Sequence, residues 1–112
     1  MKVRIKSQSD KPSVGAIKIL QQHTPFSLEE IRSRFVNHEP IFEFDTLEDE
    51  KEVATFQLIN ELKQAEVLLE FYEYFGDDEI LVDENMIRNL FQRARDISEQ
   101  MDREDAFRSN SE

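Results

Sequence analysis

Apolar and polar residues alternate from the start of the chain. Val3 and Ile5 stand against Lys2, Arg4 and Lys6, the period of a strand with one buried face. The next segment, DKPSVGAIKILQQHT, changes period: Val14, Ile17 and Leu20 or Ile19 recur at helical spacing, and Pro12 suits a first helical turn. Thr24-Pro25 ends it, because the residue before a proline is pushed out of the helical region. SLEEIRSRFVNH opens with Ser27 and Glu30, a capping-box pair, and sets Leu28, Ile31 and Phe35 on one face. After Pro40, PIFEFDT reads as a short strand with Phe42 and Phe44 on one side and Ile41 and Glu43 on the other. Asp45 or Thr46 is placed to cap a third helix, LEDEKEVATFQLINELKQA, whose acids Glu48, Asp49 and Glu50 suit its positive end. Its apolar stripe runs through Val53, Phe56, Ile59 and Leu62.

EVLLEFYEY returns to a period of two, with Val67, Leu69 and Phe71 in one row and Leu68, Glu70 and Tyr72 in the other. FGDD is a turn built on Gly76, and EILVD is either a short return strand or an extended connection. Asp83 caps a last helix with a stripe of Ile87, Leu90 or Phe91, Ala94, Ile97 and Met101. The order predicts one α+β domain over residues 1–105: a small β-α-α-β-α-β sandwich with a three-stranded sheet, plus an added C-terminal helix. Residues 106–112 read as a flexible tail.

Composition narrows the class. A chain of 112 residues suits one core, and 38% hydrophobic residues with nine Phe supply it. Charged residues make up 35% and the formal net charge is -11, so the surface repels phosphate backbones and attracts basic proteins. Direct nucleic-acid binding is therefore not expected. There is no cysteine, which removes disulfides, thiolate catalysis and Cys-type zinc sites together. MKVRIKSQSD has basic residues with no apolar run behind them, and no segment approaches the roughly 18 apolar residues of a membrane span. The expectation is a cytoplasmic protein without a membrane anchor.

Over about the first 74 residues the order of elements resembles the C-terminal domain of the bacterial ribosomal stalk protein, a fold shared with the Clp-protease adaptor. SVGAIKIL stands where the stalk family has a KVAVIK-like helix, and TPFSLEEIR where it has a TGLGLKEAK-like turn and helix. Thr24, Leu28 and Glu30 fit that pattern, Ile17-Lys18 matches its Ile-Lys, and AEVLLEFY is similar to its AEVEV final strand. Both glycines of the motif are replaced, by Pro25 and Ser27, and a family lysine is Glu29. The resemblance implies an adaptor that recruits factors through a basic helix surface, of which only Lys18 and Arg32 remain.

Candidate chemistry is sparse. His23 and His38 lie near predicted helix ends without H-x-x-x-H or H-E-x-x-H spacing, so no metal site is expected. Acid pairs such as Asp77-Asp78 and the run Glu48-Asp49-Glu50 belong to solvated turns, and GDDEILVDEN lacks the ordering of a calcium loop. Gly15 and Gly76 are too few for a phosphate cradle, and no serine sits in a G-x-S-x-G elbow. No catalytic residue and no cofactor are assigned.

The distinctive stretch is EVLLEFYEYFGDDEILVDEN, where acids interleave with aromatics and no lysine or arginine occurs. Its plain reading is a core strand whose acids keep an edge from pairing with other chains. Its functional reading makes Glu70, Tyr72, Glu73, Tyr74, Phe75, Asp77, Asp78 and Glu79 a partner-binding surface, with aromatic anchors and acids that steer a basic protein. The C-terminal stripe either packs on the domain's own sheet or pairs with its copy in a homodimer. The sequence thus favours a non-catalytic acidic protein-binding module, with the immunity protein of a bacterial toxin system as the fitting role. The alternative is a stalk-like adaptor or structural subunit acting through Lys18 and Arg32. A DNA mimic and a carboxylate-dependent enzyme stand behind these two.

Overall fold

In the computed structural model, which describes residues 1–110 and the side chains of residues 1–97, the alternating N-terminal segment forms strand β1 (Lys2–Ser7). Val3, Ile5 and Ser7 face inward and are buried. Helices α1 (Val14–His23) and α2 (Leu28–Val36) follow, each started by a serine. Ser13 Oγ accepts the Ala16 N–H at 3.1 Å, and Ser27 Oγ accepts the Glu30 N–H at 3.2 Å. Pro12 therefore precedes the cap of α1 rather than entering its first turn. The Ser27–Glu30 capping box is half-formed, because the Glu30 carboxylate turns to Arg34 at 3.1 Å.

Strand β2 (Phe42–Asp45) puts Phe42 and Phe44 on the inner side, as their spacing requires. Neither Asp45 nor Thr46 caps the third helix. Asp45 accepts the Leu47 N–H at 3.0 Å and the N-terminal ammonium at 3.1 Å, and a 3-10 turn over Asp49–Lys51 intervenes. Helix α3 (Glu52–Gln64) then buries Phe56, Leu58, Ile59 and Leu62 but leaves Val53 exposed, so the stripe sits one position round from the expected one. It ends in a Schellman arrangement, with the Glu66 N–H donating to Lys63 and the Val67 N–H to Leu62, each at 3.0 Å. Glu66 occupies the left-handed position there, with φ of 62°.

Strands β3 (Leu69–Phe75) and β4 (Asp78–Val82) form a hairpin around Gly76, whose φ of 57° suits a tight turn. EILVD is thus a true strand, and the sheet has four strands instead of the expected three. The order is β2-β1-β3-β4, antiparallel throughout. Pairing decided the matter: Val82 meets the buried Phe71, and β3, already bonded to β1, offers β4 its other edge.

Helix α4 (Glu84–Asn110) begins where Asp83 accepts the Met86 N–H at 2.8 Å, the predicted cap. Its 27 residues make it about 40 Å long. Ile87 and Phe91 are fully buried, and Phe91 stacks on Phe44 at 5.8 Å and meets Phe56 at 5.9 Å. The helix therefore closes the core rather than decorating it. It runs on to Asn110, through the start of the expected tail, and residues 111 and 112 lie outside the described residues. Core residues come from all four helices and from the inner face of the sheet, which gives a two-layer α+β arrangement. The outer sheet face is left open.

Candidate partner-binding groove

Cross-strand register decides which acids are available to a partner. On the outer face, β1 presents Lys2, Arg4 and Lys6 between the acids of its two neighbours. Arg4 pairs with Glu43 at 3.5 Å and Glu79 at 3.3 Å, and Lys6 pairs with Glu79 at 3.0 Å. The same cations lie over the tyrosines: Arg4 is 3.8 Å from the Tyr74 ring centre and Lys6 4.8 Å from that of Tyr72. Tyr72 donates its hydroxyl to Glu70, and Tyr74 donates to Glu43 at 2.5 Å.

The ionisation of these groups reflects the network. The Tyr72 hydroxyl is pushed up, first because its proton bonds Glu70 and then by burial. Tyr74 is pushed up by burial and by its bond to Glu43, against the pull of Arg4. Hydrogen bonding from Lys6, with further help from Arg4, holds Glu79 below the usual carboxylate range. The Leu47 N–H and the N-terminal ammonium do the same for Asp45. Lys2, Arg4 and Lys6 thus offset Glu43, Asp45, Glu70 and Glu79, and this face is close to neutral. Glu70, Tyr72, Tyr74 and Glu79, four of the eight expected partner residues, are occupied here.

The other four stand elsewhere. Glu73, Phe75 and Asp78 share the inner side with Phe71, and Asp77 sits in the exposed turn. Four of the expected residues thus lie on the outer side of the hairpin, three on the inner side and one in the turn, so they do not make one surface. Inward, Phe75, Asp78 and Ile80 at the hairpin end are exposed. Between it, the end of β2 and one face of α4 runs a groove of about 440 Å³. Its walls include Met86, Leu90 and Ala94 from α4, with Leu47 and Ile97 at the rim. Among the described residues, six of the twelve large exposed apolar side chains lie along it or on the adjoining hairpin face: Met1, Leu47, Phe75, Ile80, Met86 and Ile97.

Glu73 lies in this groove at 8% exposure. Among the described residues it makes no hydrogen bond or ion pair, although exposed Arg93 stands on the same lining. Sequence reasoning had Glu73 as a steering acid on the outside. Its parity with Phe71 was the signal for the inner side.

The remaining candidates are placed apart from the groove. Lys18 on α1 and Arg32 on α2 are exposed, and neither lines the groove. His23 bonds Glu61 at 2.9 Å, and His38 Nδ1 lies 3.4 Å from the Ser7 carbonyl oxygen. Among the described residues no three His, Asp or Glu side chains converge as a metal site would need, and no helix is long and apolar enough to cross a membrane. Comparison with known protein families, curated proteins and solved structures finds no match to this chain.

Proposed function

We propose that this chain is a non-catalytic binding module for a basic protein, and that it docks through the groove and the acidic turn beside it. The observation that carries this reading is the coincidence of exposed apolar side chains with unengaged acids at one end of the molecule. Large apolar residues left in water beside a polar rim are what a protein interface requires. Asp77 and Asp78 stand at the turn of the hairpin that carries Glu73, exposed and outside every ion pair among the described residues. With a net charge of -11, the chain as a whole attracts a basic protein from a distance.

A cytoplasmic immunity protein that neutralises a basic toxin is a role of this kind, since it needs fast, tight association and no chemistry. The stalk-like adaptor reading has less support, because Lys18 and Arg32 are exposed on α1 and α2 and neither lines the groove. The test is capture from the cells that make the protein, with wild type and the Asp77→Lys/Asp78→Lys variant as paired baits. The expected partner is basic, is released by salt and is lost by the variant. An acidic partner, or one that binds both baits equally, refutes the reading.

A further inference from the structure

We infer that the groove takes an apolar segment of the partner that inserts one lysine or arginine side chain, whose cation pairs with Glu73. This rests on the reading of the chain as a binding module for a basic protein, and it names the chemistry that would be recognised.

Three observations carry it. First, Glu73 is a largely buried residue of the groove lining, and within the described residues its carboxylate has no hydrogen-bond or ion-pair partner, so a cation entering the groove would meet an uncompensated opposite charge. On the outer face of the same sheet, by contrast, Glu43 and Glu79 pair with Arg4, and Glu79 also pairs with Lys6. Second, the lining around Glu73 suits an aliphatic stem. Leu90 and Ala94 recur at one helical turn along α4, and Met86 and Ile97 extend the strip at either end. A lysine or arginine side chain has this composition, an apolar stem with a charged head. Third, the apolar surface does not stop at the cavity. Leu47 is 67% exposed and Ile97 56%, and Phe75 and Ile80 continue the strip along the hairpin. A free small amine would leave that surface in water, whereas a protein segment would cover it.

Charge argues against a second copy as occupant. Each protomer carries -11, and pairing two such surfaces brings like charges together. Of the two cations on the groove lining, the Met1 ammonium is engaged by Asp45 at 3.1 Å, and Arg93 is an exposed residue of α4.

The experiment uses the full chain, with hexylammonium and hexylguanidinium as probes and hexanol and hexanoate of equal chain length as controls. Methyl and amide NMR shifts of Leu47, Leu90, Ala94 and Ile97 report the groove. The cations are expected to shift these signals saturably, hexanol at least tenfold more weakly, and hexanoate not at all. Glu73→Gln is expected to weaken cation binding at least tenfold while its dispersed spectrum shows an intact fold. Ala94→Phe, which fills the groove, is expected to abolish the responses of Leu47, Leu90 and Ile97 to the cations and to hexanol. Equal binding of hexanol and the cations, or no effect of Glu73→Gln, overturns the inference. So does a dimer by sedimentation velocity whose interface buries the same methyls. If the cations fail while Asp77→Lys/Asp78→Lys still loses the captured basic protein, the inference falls and the binding-module reading stands. If the cations bind but the captured partner is acidic, the functional reading falls instead.

Discussion

Glu73→Met is expected to make the protein more stable, which sets Glu73 apart from an ordinary buried residue. In the folded chain Glu73 is a largely buried residue whose carboxylate makes no hydrogen bond among the described residues. An unsatisfied buried polar group costs roughly 1–3 kcal/mol, and a carboxylate whose oxygens reach water through the open side of the groove costs no more than the lower end. Methionine has similar length and a flexible thioether, and it would pack on Leu90 and Met86 without strain. The gain works out at roughly 1–2 kcal/mol, since the polar cost disappears and an apolar contact replaces it. For a domain of this size that raises Tm by roughly 5–10 °C. The assay is urea denaturation followed by circular dichroism, with the slope m unchanged and the midpoint raised. Glu73→Gln keeps the polarity and shape and should move stability little. A Met variant less stable than wild type by more than about 1 kcal/mol would mean that the carboxylate serves the fold, and the binding argument would lose its footing. Stability surrendered at one position in exchange for recognition is a common pattern at binding sites.

Phe91→Ala should cost about 3–5 kcal/mol, because the ring is fully buried between Phe44 and Phe56; a loss under about 1 kcal/mol by the same denaturation would show that α4 is not part of the core. Glu66→Gly should stabilise by roughly 1 kcal/mol, since a side chain at φ of 62° is strained and glycine is not; a lower thermal midpoint would refute this. Glu79 contributes a pH dependence. Its folded pKa lies below the ordinary 4.5, so its stabilisation is complete above that value and is lost as pH falls through the depressed one. Glu79→Gln should therefore lower stability at pH 7 and flatten the acid limb of the stability curve, and an acid limb parallel to wild type would contradict the assignment.

Periodicity in the chain was enough to place most elements. Val3 and Ile5, Ile31 and Phe35, and Ile87 and Phe91 all went to the buried side that their spacing indicates. What it could not supply was register between distant segments. Nothing in the local pattern of KVRIKS says that its cations will lie between Glu43 on one strand and Glu79 on another. That pairing turned half of the acid–aromatic stretch from an apparent docking surface into an internally neutralised face. EILVD was ambiguous for another reason: Ile80 and Leu81 point to opposite faces and both are exposed, so alternation carries no signal there. For Glu73 the signal was available, two residues from Phe71 on the same side, and the abundance of solvated acids around it obscured the parity.

The most direct measurement of the central claim is site-specific photo-crosslinking in the cells that make the protein. A photoreactive residue placed at Leu47, on the groove rim, is compared with one at Leu68, which is as exposed but lies just before β3, at the end away from the hairpin turn. The account predicts a single basic protein joined through position 47 and lost when Glu73→Gln is added, with little product from position 68. Crosslinking of that protein from position 68 alone, or of nothing but a second copy of the chain from position 47, would contradict it.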